Sequence, residues 1–454
     1  MLDRTQRPGS GRTPERAILV GVLFPETPTL AEHPLDELAR LAATAGAHEV
    51  GRVIQRRVRP SASTFLGRGK AQEIAALARE RGADVILADA DLSPAQIRNL
   101  EKILECRVVD RTELILDIFA QHARSHQARL QVELAQTQYV LPRLKRMWTH
   151  LSREVGGGQS GAGGGGPGGG SQGGSGQGGA GQGIGTRGPG EKQIEIDRRL
   201  LRRRITELKR ELKEIAARRE RMAQSRERYF TVSLVGYTNA GKSTLQRALT
   251  GSDAYVADQL FATLDTQTRA WELPHGKRIF LSDTVGFIRN LPHHLVASFY
   301  ATLEEVRTAD LVLHVVDGSH PDARLQMEAV EGVLTEIGAE ATPRLLVLNK
   351  SDRVGDPLDL RLLAAGRDPW ISVSATTREG LSRLEEAVLA QVQGRQTRAE
   401  FLVPAGAGRL LAFLAERGTI LERRYEGSFV ALTVLLSAAD YGRAGRMLSA
   451  QSGG

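Results

Sequence analysis

The sequence predicts an α/β protein: a parallel-sheet domain built around a P-loop, preceded by a small α/β domain and a basic helical hairpin, and followed by a small α+β C-terminal domain. Three observations predict it. Gly236-Tyr237-Thr238-Asn239-Ala240-Gly241-Lys242-Ser243 fits G-x-x-x-x-G-K-S/T, and it lies between an apolar strand candidate, Thr231 to Val235, and a helix candidate, Thr244 to Leu249. Near-continuous apolar runs at 231–235, 278–282, 311–317, 345–348 and 370–373 read as parallel strands covered on both faces. From Ala17 to Val109 strand and helix patterns alternate, which predicts a second, smaller parallel α/β domain.

A chain of 454 residues holds about three domains. Hydrophobic content of 41% and charged content of 25% suffice for several cores. The single cysteine, Cys106, excludes an intramolecular disulfide and suits a reducing compartment as a core-packing residue. No run approaches the roughly 20 apolar residues of a membrane helix. The first apolar run ends in Pro25-Glu26-Thr27-Pro28 without a signal-peptide cleavage site, so a cytoplasmic chain with no membrane span is expected. The net charge of +8 is concentrated: residues 191–228 hold 14 Lys and Arg against 8 Asp and Glu, and residues 121–153 hold 6 against Glu133 alone. Positive charge gathered in this way points to a polyanion partner.

Taken in order, residues 1–15 are polar and aperiodic and read as a disordered tail. The N-terminal α/β domain, 16–110, is expected to run strand Ile18 to Phe24, helix Glu32 to Ala45, strand Glu49 to Gln55, helix Ala71 to Arg81, strand Val85 to Ala90, helix Pro94 to Leu104 and strand Arg107 to Val109. Within it, Gly67-Arg68-Gly69-Lys70 before a helix reads as a tight turn that could also receive an anion. The hairpin subdomain, 111–228, rests on two apolar stripes at 3,4 spacing. One holds Leu130, Leu134, Leu141, Leu144, Trp148 and Leu151; the other holds Ile194, Leu201, Ile205, Leu208, Leu212, Ile215 and Met222, with Arg198 and Arg219 on its seam. Pro142 should interrupt the first arm. Residues 156–185 contain 19 of the 49 glycines and are expected to form a flexible loop. After it, Gly185 to Glu191 reads as a compact turn in which Glu191 caps the second arm. The P-loop domain spans 229–395, and 399–454 forms the C-terminal domain, with a helix at Gly408 to Arg417 and a strand at Ser428 to Leu436.

The chemistry sits in five stretches of the P-loop domain. Glycines in 236–243 let backbone N–H groups turn toward phosphate oxygens at a helix N-terminus, while Lys242 reaches the β- and γ-phosphates and Ser243 offers a hydroxyl to Mg²⁺. Asp283-Thr284-Val285-Gly286 follows a strand, so Asp283 would hold Mg²⁺ through water and the Gly286 N–H would meet a γ-phosphate. Asn349-Lys350-Ser351-Asp352 places a carboxylate that could accept both N1–H and the exocyclic amine of guanine, and the backbone of Ser374-Ala375-Thr376 could bind O6. Phe261-Ala262-Thr263-Leu264-Asp265 is a polar loop offering Thr263 as a further metal ligand; Thr266 and Thr268 compete with it on spacing alone.

The set GYTNAGKS, FATLD, DTVGF, NKSD and SAT resembles the guanine-nucleotide site of translation-factor-related P-loop GTPases. With FLGRGKAQEI (65–74), LQVELAQTQYVLPRL (130–144) and GIGTRGPGEKQIEIDRR (183–199), nearly the whole chain resembles the HflX family of ribosome-associated GTPases. The resemblance implies a Mg²⁺-dependent GTP hydrolase, a P-loop GTPase domain on a parallel sheet, Thr263 as the metal threonine, and a monomer that binds GTP and GDP. It also implies a large (50S) ribosomal subunit partner, with the hairpin approaching its rRNA near the peptidyl-transferase region, and a role in separating stalled ribosomes. In some related GTPases an asparagine at the Asn239 position coordinates K⁺. The place of a water-orienting glutamine is taken by Phe287, so the resemblance assigns no catalytic residue and implies slow intrinsic hydrolysis. Two rival functions are an RNA-binding scaffold with a structural nucleotide and an NTPase that also uses ATP through the N-terminal domain.

Overall fold

The computed structural model describes residues 14–27, 32–144, 189–224, 229–251, 260, 261, 264, 266–289, 300–367, 369–394, 397–436 and 438–452. Nearly all of the expected N-terminal tail, the glycine-rich connection and the turn leading to Pro189 lie outside these residues, as do Ala262, Thr263 and Asp265. The chain gathers into two compact units, one mainly Pro34–Ala120 with Arg129–Lys213, the other mainly Glu214–Gly454.

In the first unit β1 (Arg16–Leu23), α1 (Asp36–Thr44), β2 (His48–Arg56), α2 (Arg68–Arg81), β3 (Val85–Ala88), α3 (Pro94–Leu104) and β4 (Arg107–Asp110) alternate. They build an all-parallel sheet in the order β2-β1-β3-β4. Ser93 closes a capping box with Gln96, and Pro94 follows at the first helical position, so α3 starts where its sequence dictates. Helix α1 begins at Asp36 rather than Glu32, since Pro34 disfavours the helical conformation at His33 before it. Ile18, Ile74, Ile86, Ile97, Leu100 and Val108 form the core, with Cys106 packed at its margin and its thiol pKa raised by burial.

The helices α4 (Arg111–His122) and α5 (His126–Val140) follow, and the chain tightens into a 3₁₀ turn at Leu141–Arg143, where Pro142 has no N–H to donate. Helix α6 (Pro189–Gln224) carries the second basic stripe. Its half-buried or buried positions include Ile194, Arg198, Leu201, Ile205, Leu208 and Leu212, a 3,4 rhythm. Arg204 lies on the same stripe and donates to both carboxylate oxygens of Glu133 on α5, at 2.8 and 3.0 Å. The C-terminal end of α5 is tied to β4: the Tyr139 hydroxyl stands 3.0 Å from Asp110 Oδ1 and 3.2 Å from Glu113 Oε2. Arg143 donates to the Leu92 carbonyl at 2.8 Å and lies 3.6 Å over the Tyr139 ring.

The second unit contains β5 (Thr231–Gly236), α7 (Lys242–Thr250), β6 (Gln267–Leu273), β7 (Lys277–Asp283), α8 (Tyr300–Arg307), β8 (Leu311–Asp317), α9 (Ala323–Glu336), β9 (Arg344–Asn349), α10 (Pro357–Ala364), β10 (Trp370–Ser372) and α11 (Leu381–Gly394). Its sheet runs β10-β9-β8-β5-β7-β6. The five expected strands pair in parallel, and one further edge strand that the sequence reading did not include, β6, pairs antiparallel with β7. A turn at Pro274–Gly276, with His275 and Gly276 at positive φ, reverses the chain between them. Leu234, Leu281, Leu313 and Val347 from the central strands are essentially inaccessible, each contributing about 1.5–3 kcal/mol of burial. Every parallel strand therefore ends its C-terminal edge at a fixed height, which is where the motif residues lie.

The remaining elements are β11 (Thr397–Pro404), α12 (Gly408–Arg417), β12 (Thr419–Glu426), β13 (Phe429–Leu436) and α13 (Ala438–Ser452). An antiparallel sheet, β11-β13-β12, packs one face on the two helices through Phe401, Val403, Leu410, Leu414, Leu432 and Val434. Helix α13 has no counterpart in the sequence expectation; Gly442 and Gly445 dilute a short apolar stripe of Ala444, Met447 and Leu448.

Candidate nucleotide-binding site

The P-loop leaves β5 at Gly236 and enters α7 at Lys242. Two of its glycines are required by space. A Cβ on Gly236 would stand 2.1 Å from the Val315 carbonyl oxygen of β8. One on Gly241, whose φ is +91°, would stand 2.3 Å from Asn349 Nδ2. Between them Asn239 adopts the left-handed conformation at φ 61° and is exposed. Gly241 caps α7 without a side-chain acceptor, so the cradle and the helix N-terminus present backbone N–H groups together.

Lys242 is buried, and its ammonium donates to the carbonyls of Gly236 at 3.0 Å and Tyr237 at 2.9 Å. Burial pushes its pKa down to about 8, with the nearby Asp283 carboxylate acting against that shift. The Ser243 hydroxyl donates to Asp283 Oδ2 at 2.6 Å, so the carboxylate ending β7 reaches the start of α7. A hydroxyl and a carboxylate oxygen side by side are hard-oxygen donors of the kind Mg²⁺ takes.

The Asp283–Gly286 segment lies against the P-loop. Phe287 N donates to the Gly236 carbonyl at 3.1 Å, Thr238 N donates to the Phe287 carbonyl at 2.7 Å, and Arg289 N donates to the Tyr237 hydroxyl at 2.8 Å. Thr284 Oγ1 donates back to the Leu234 carbonyl at 2.6 Å, and Val285 is buried. A Cβ on Gly286 would approach Thr238 Cγ2 to 2.9 Å and Lys242 Nζ to 3.1 Å, so glycine admits the contact. The Phe287 side chain is buried and has no polar atom to offer.

On the other side of the P-loop Asn349, at the end of β9, is buried; its carboxamide donates to the Ala240 carbonyl at 2.8 Å and accepts from Ala375 N at 3.1 Å. One side chain thus joins three of the motif stretches. Lys350 takes the left-handed conformation at φ 60°, Ser351 N donates to the Val373 carbonyl, and Asp352 is exposed in the short 3₁₀ turn Ser351–Arg353. Ser374 is inaccessible and its Oγ accepts from Thr377 N at 3.0 Å, which shapes the loop so that Thr376 is exposed.

Of the 261–265 stretch the described residues are Phe261 and Leu264, both buried. The two competing threonines are engaged elsewhere: Thr266 Oγ1 donates to Glu305 Oε1 at 3.2 Å, and Thr268 Oγ1 lies 2.9 Å from Ser282 Oγ. Sequence reasoning missed Asp317, which ends β8 and forms an ion pair with Lys350 at 2.7 Å. Its signal was available, a carboxylate closing an apolar strand, but the strand register that faces it to Lys350 was not. Gln246 was also missed; from α7 its amide reaches the Gln267 carbonyl of β6 at 2.7 Å and the Leu281 carbonyl of β7 at 3.0 Å.

Three family models match the chain in series: a GTP-binding GTPase N-terminal model over residues 32–120, a GTP-binding GTPase middle-region model over 122–226, and a 50S ribosome-binding GTPase model over 231–350. A GTPase HflX from Caldanaerobacter subterraneus is 42% identical, over 91% of this chain and 89% of that one. The GTPase HflX of Magnetococcus marinus is 44% identical over 95% of both chains, and that of Escherichia coli is 42% identical over 94% of this chain and 95% of its own. Similarity of this depth over nearly full length, on a fold whose P-loop domain carries the geometry above, makes the chain a P-loop GTP hydrolase, and it belongs to the HflX family of GTPases.

Proposed function

We propose that the protein is a GTP-driven switch that associates with the large (50S) ribosomal subunit and acts in ribosome splitting, rescue or biogenesis. The observation that carries the nucleotide half of this reading is the double hydrogen bond of Asn349, which brings the P-loop, the Asn349–Asp352 turn and the Ser374–Thr376 loop to one place. In that arrangement the N–H groups of 236–243 and the N-terminus of α7 face a polyphosphate, toward which Lys242 turns from its two carbonyl partners. Asp352, exposed, accepts from the guanine edge, and the backbone of Ser374–Thr376 meets O6.

Ser243 would hold Mg²⁺ directly, Asp283 through water, and Thr263 by family analogy. When bound, the ion offsets charge on the β- and γ-phosphates. Phe287 cannot orient a water, so this chain's intrinsic hydrolysis is slow and a partner supplies the missing positioning.

Two features support a ribosomal partner. The model matched by residues 231–350 is described as a 50S ribosome-binding GTPase. Helix α6 displays arginines on its exposed positions, among them Arg199, Arg202, Arg203 and Arg210, a surface suited to RNA phosphates. GTP turnover with and without purified large subunits tests the reading. Stimulation of about 10-fold or more supports it; a rate indifferent to subunits favours an RNA-binding scaffold with a structural nucleotide.

A further inference from the structure

Asp317 lies at the C-terminal end of β8, in register with Asn349 of β9. It is fixed on every side. Its Oδ1 accepts from both the amide and the hydroxyl of Ser319, at 3.1 and 2.7 Å, and the next amide, Gly318 N, donates to the Asn349 carbonyl at 2.9 Å. A Cβ on Gly318 would stand 2.6 Å from Leu360 Cδ2 and 3.3 Å from the Asn349 carbonyl oxygen, so the turn packs closely against its neighbours. The second oxygen, Oδ2, holds the Lys350 ammonium at 2.7 Å, with both side chains largely shielded, at 12% and 17% exposure.

The consequence lies in the path of the Lys350 side chain. Its backbone is left-handed, and its Cε passes within 4.0 Å of where a Cβ on Gly241 would stand. The methylene stem therefore runs from the Asn349–Asp352 turn past the rim of the P-loop, and its charge is taken up at the far end by Asp317. A stem so laid is a narrow apolar strip, suited to cover the face of a planar base. An unpaired ammonium beside the P-loop would instead be drawn to phosphate.

We infer that Asp317 is a positioning residue for the purine: by anchoring Lys350 it lays that side chain along the base cradle and keeps its charge from the phosphates. The inference rests on the reading of Asn349–Asp352 as a guanine cradle, and its test separates the two. GDP, GTP and ADP binding to the full chain are measured by competition with a fluorescent guanine nucleotide, alongside GTP turnover. Asp317→Asn preserves an acceptor for Ser319 while removing the charge, so the turn is kept. It weakens GDP and GTP about tenfold and equally, with kcat at saturation within about twofold. Asp317→Glu recovers part of that loss. In a K350M background, where the stem remains and the charge is gone, Asp317→Asn causes no further loss.

Wild type binding GDP no tighter than ADP would remove the base-cradle reading and this inference with it. Wild type preferring GDP, while Asp317→Asn binds GDP within about twofold of it, or adds its full loss to that of K350M, overturns the inference alone.

Discussion

Asn349 donates its carboxamide N–H to the Ala240 carbonyl at 2.8 Å, and both groups are buried. The bond links the end of β9 to the middle of the P-loop, and the same carboxamide receives Ala375 N. Asn349→Ala leaves a buried acceptor and a buried donor unmet, so it destabilises the second unit by about 2–4 kcal/mol and abolishes tight GDP binding. Asn349→Asp keeps an acceptor for Ala375 but loses the donor to Ala240, and falls between. Denaturant midpoints at constant m-value, together with GDP titrations, check the order.

The Lys242 ammonium carries a pKa lowered to about 8 by burial, against 10.5 for a free lysine. The folded state therefore binds fewer protons than the unfolded one between these values. Its contribution is fully present above about 10.5 and is lost as pH falls through 8, a span of about 3 kcal/mol at most. A bound polyphosphate restores the charge, so GDP binding near pH 8.5–9 takes up a proton, roughly a fraction of one per site. Calorimetry in two buffers of different ionisation enthalpy reads this directly. Lys242→Met removes the uptake.

Asn239 is exposed on the P-loop in a left-handed conformation, and the family resemblance implies a K⁺ ion at this position. We propose that K⁺ held there speeds GTP hydrolysis relative to Na⁺; the expected outcome is an increase of about tenfold in single-turnover assays at equal ionic strength. Asn239→Ala erases the difference. Equal rates in the two salts remove the proposed role of K⁺.

At the end of β4, burial pushes the Asp110 carboxyl up to about 6, opposed by its hydrogen bond from Glu113 N and by Arg143. The sign is opposite to that of Lys242: the contribution is fully present below about 4 and lost as pH rises through 6, about 3 kcal/mol at most. Tyr139→Phe removes the hydroxyl between Asp110 and Glu113 and destabilises the first unit by about 1–3 kcal/mol. Thermal unfolding between pH 4 and 7 should show a slope in wild type that Asp110→Asn flattens.

Much of this was legible in the sequence because strand, loop and helix signals coincide at the P-loop. Gly236 and Gly241 announced close backbone approach, Pro142 the break in α5, and the stripe through Leu201, Ile205 and Leu208 the buried side of α6. What escaped depends on register or on distant partners. Strand β6 carries Arg269 and Glu272 on a half-exposed edge, so its pattern lacked the apolar run that marked its neighbours. Asp317 faces Lys350 only because β8 and β9 pair as they do. Arg204 looked like one solvated arginine among many until Glu133 on α5 claimed it.

Nucleotide competition with Asp352→Asn tests most directly whether the stretches 236–243, 283–286, 349–352 and 374–376 form one guanine-nucleotide pocket read by Asp352. The account predicts a shift of preference from GTP toward xanthosine triphosphate of about 10²-fold or more, with Mg²⁺-dependent turnover of the xanthine nucleotide retained. An unchanged preference for guanine in that variant would contradict it.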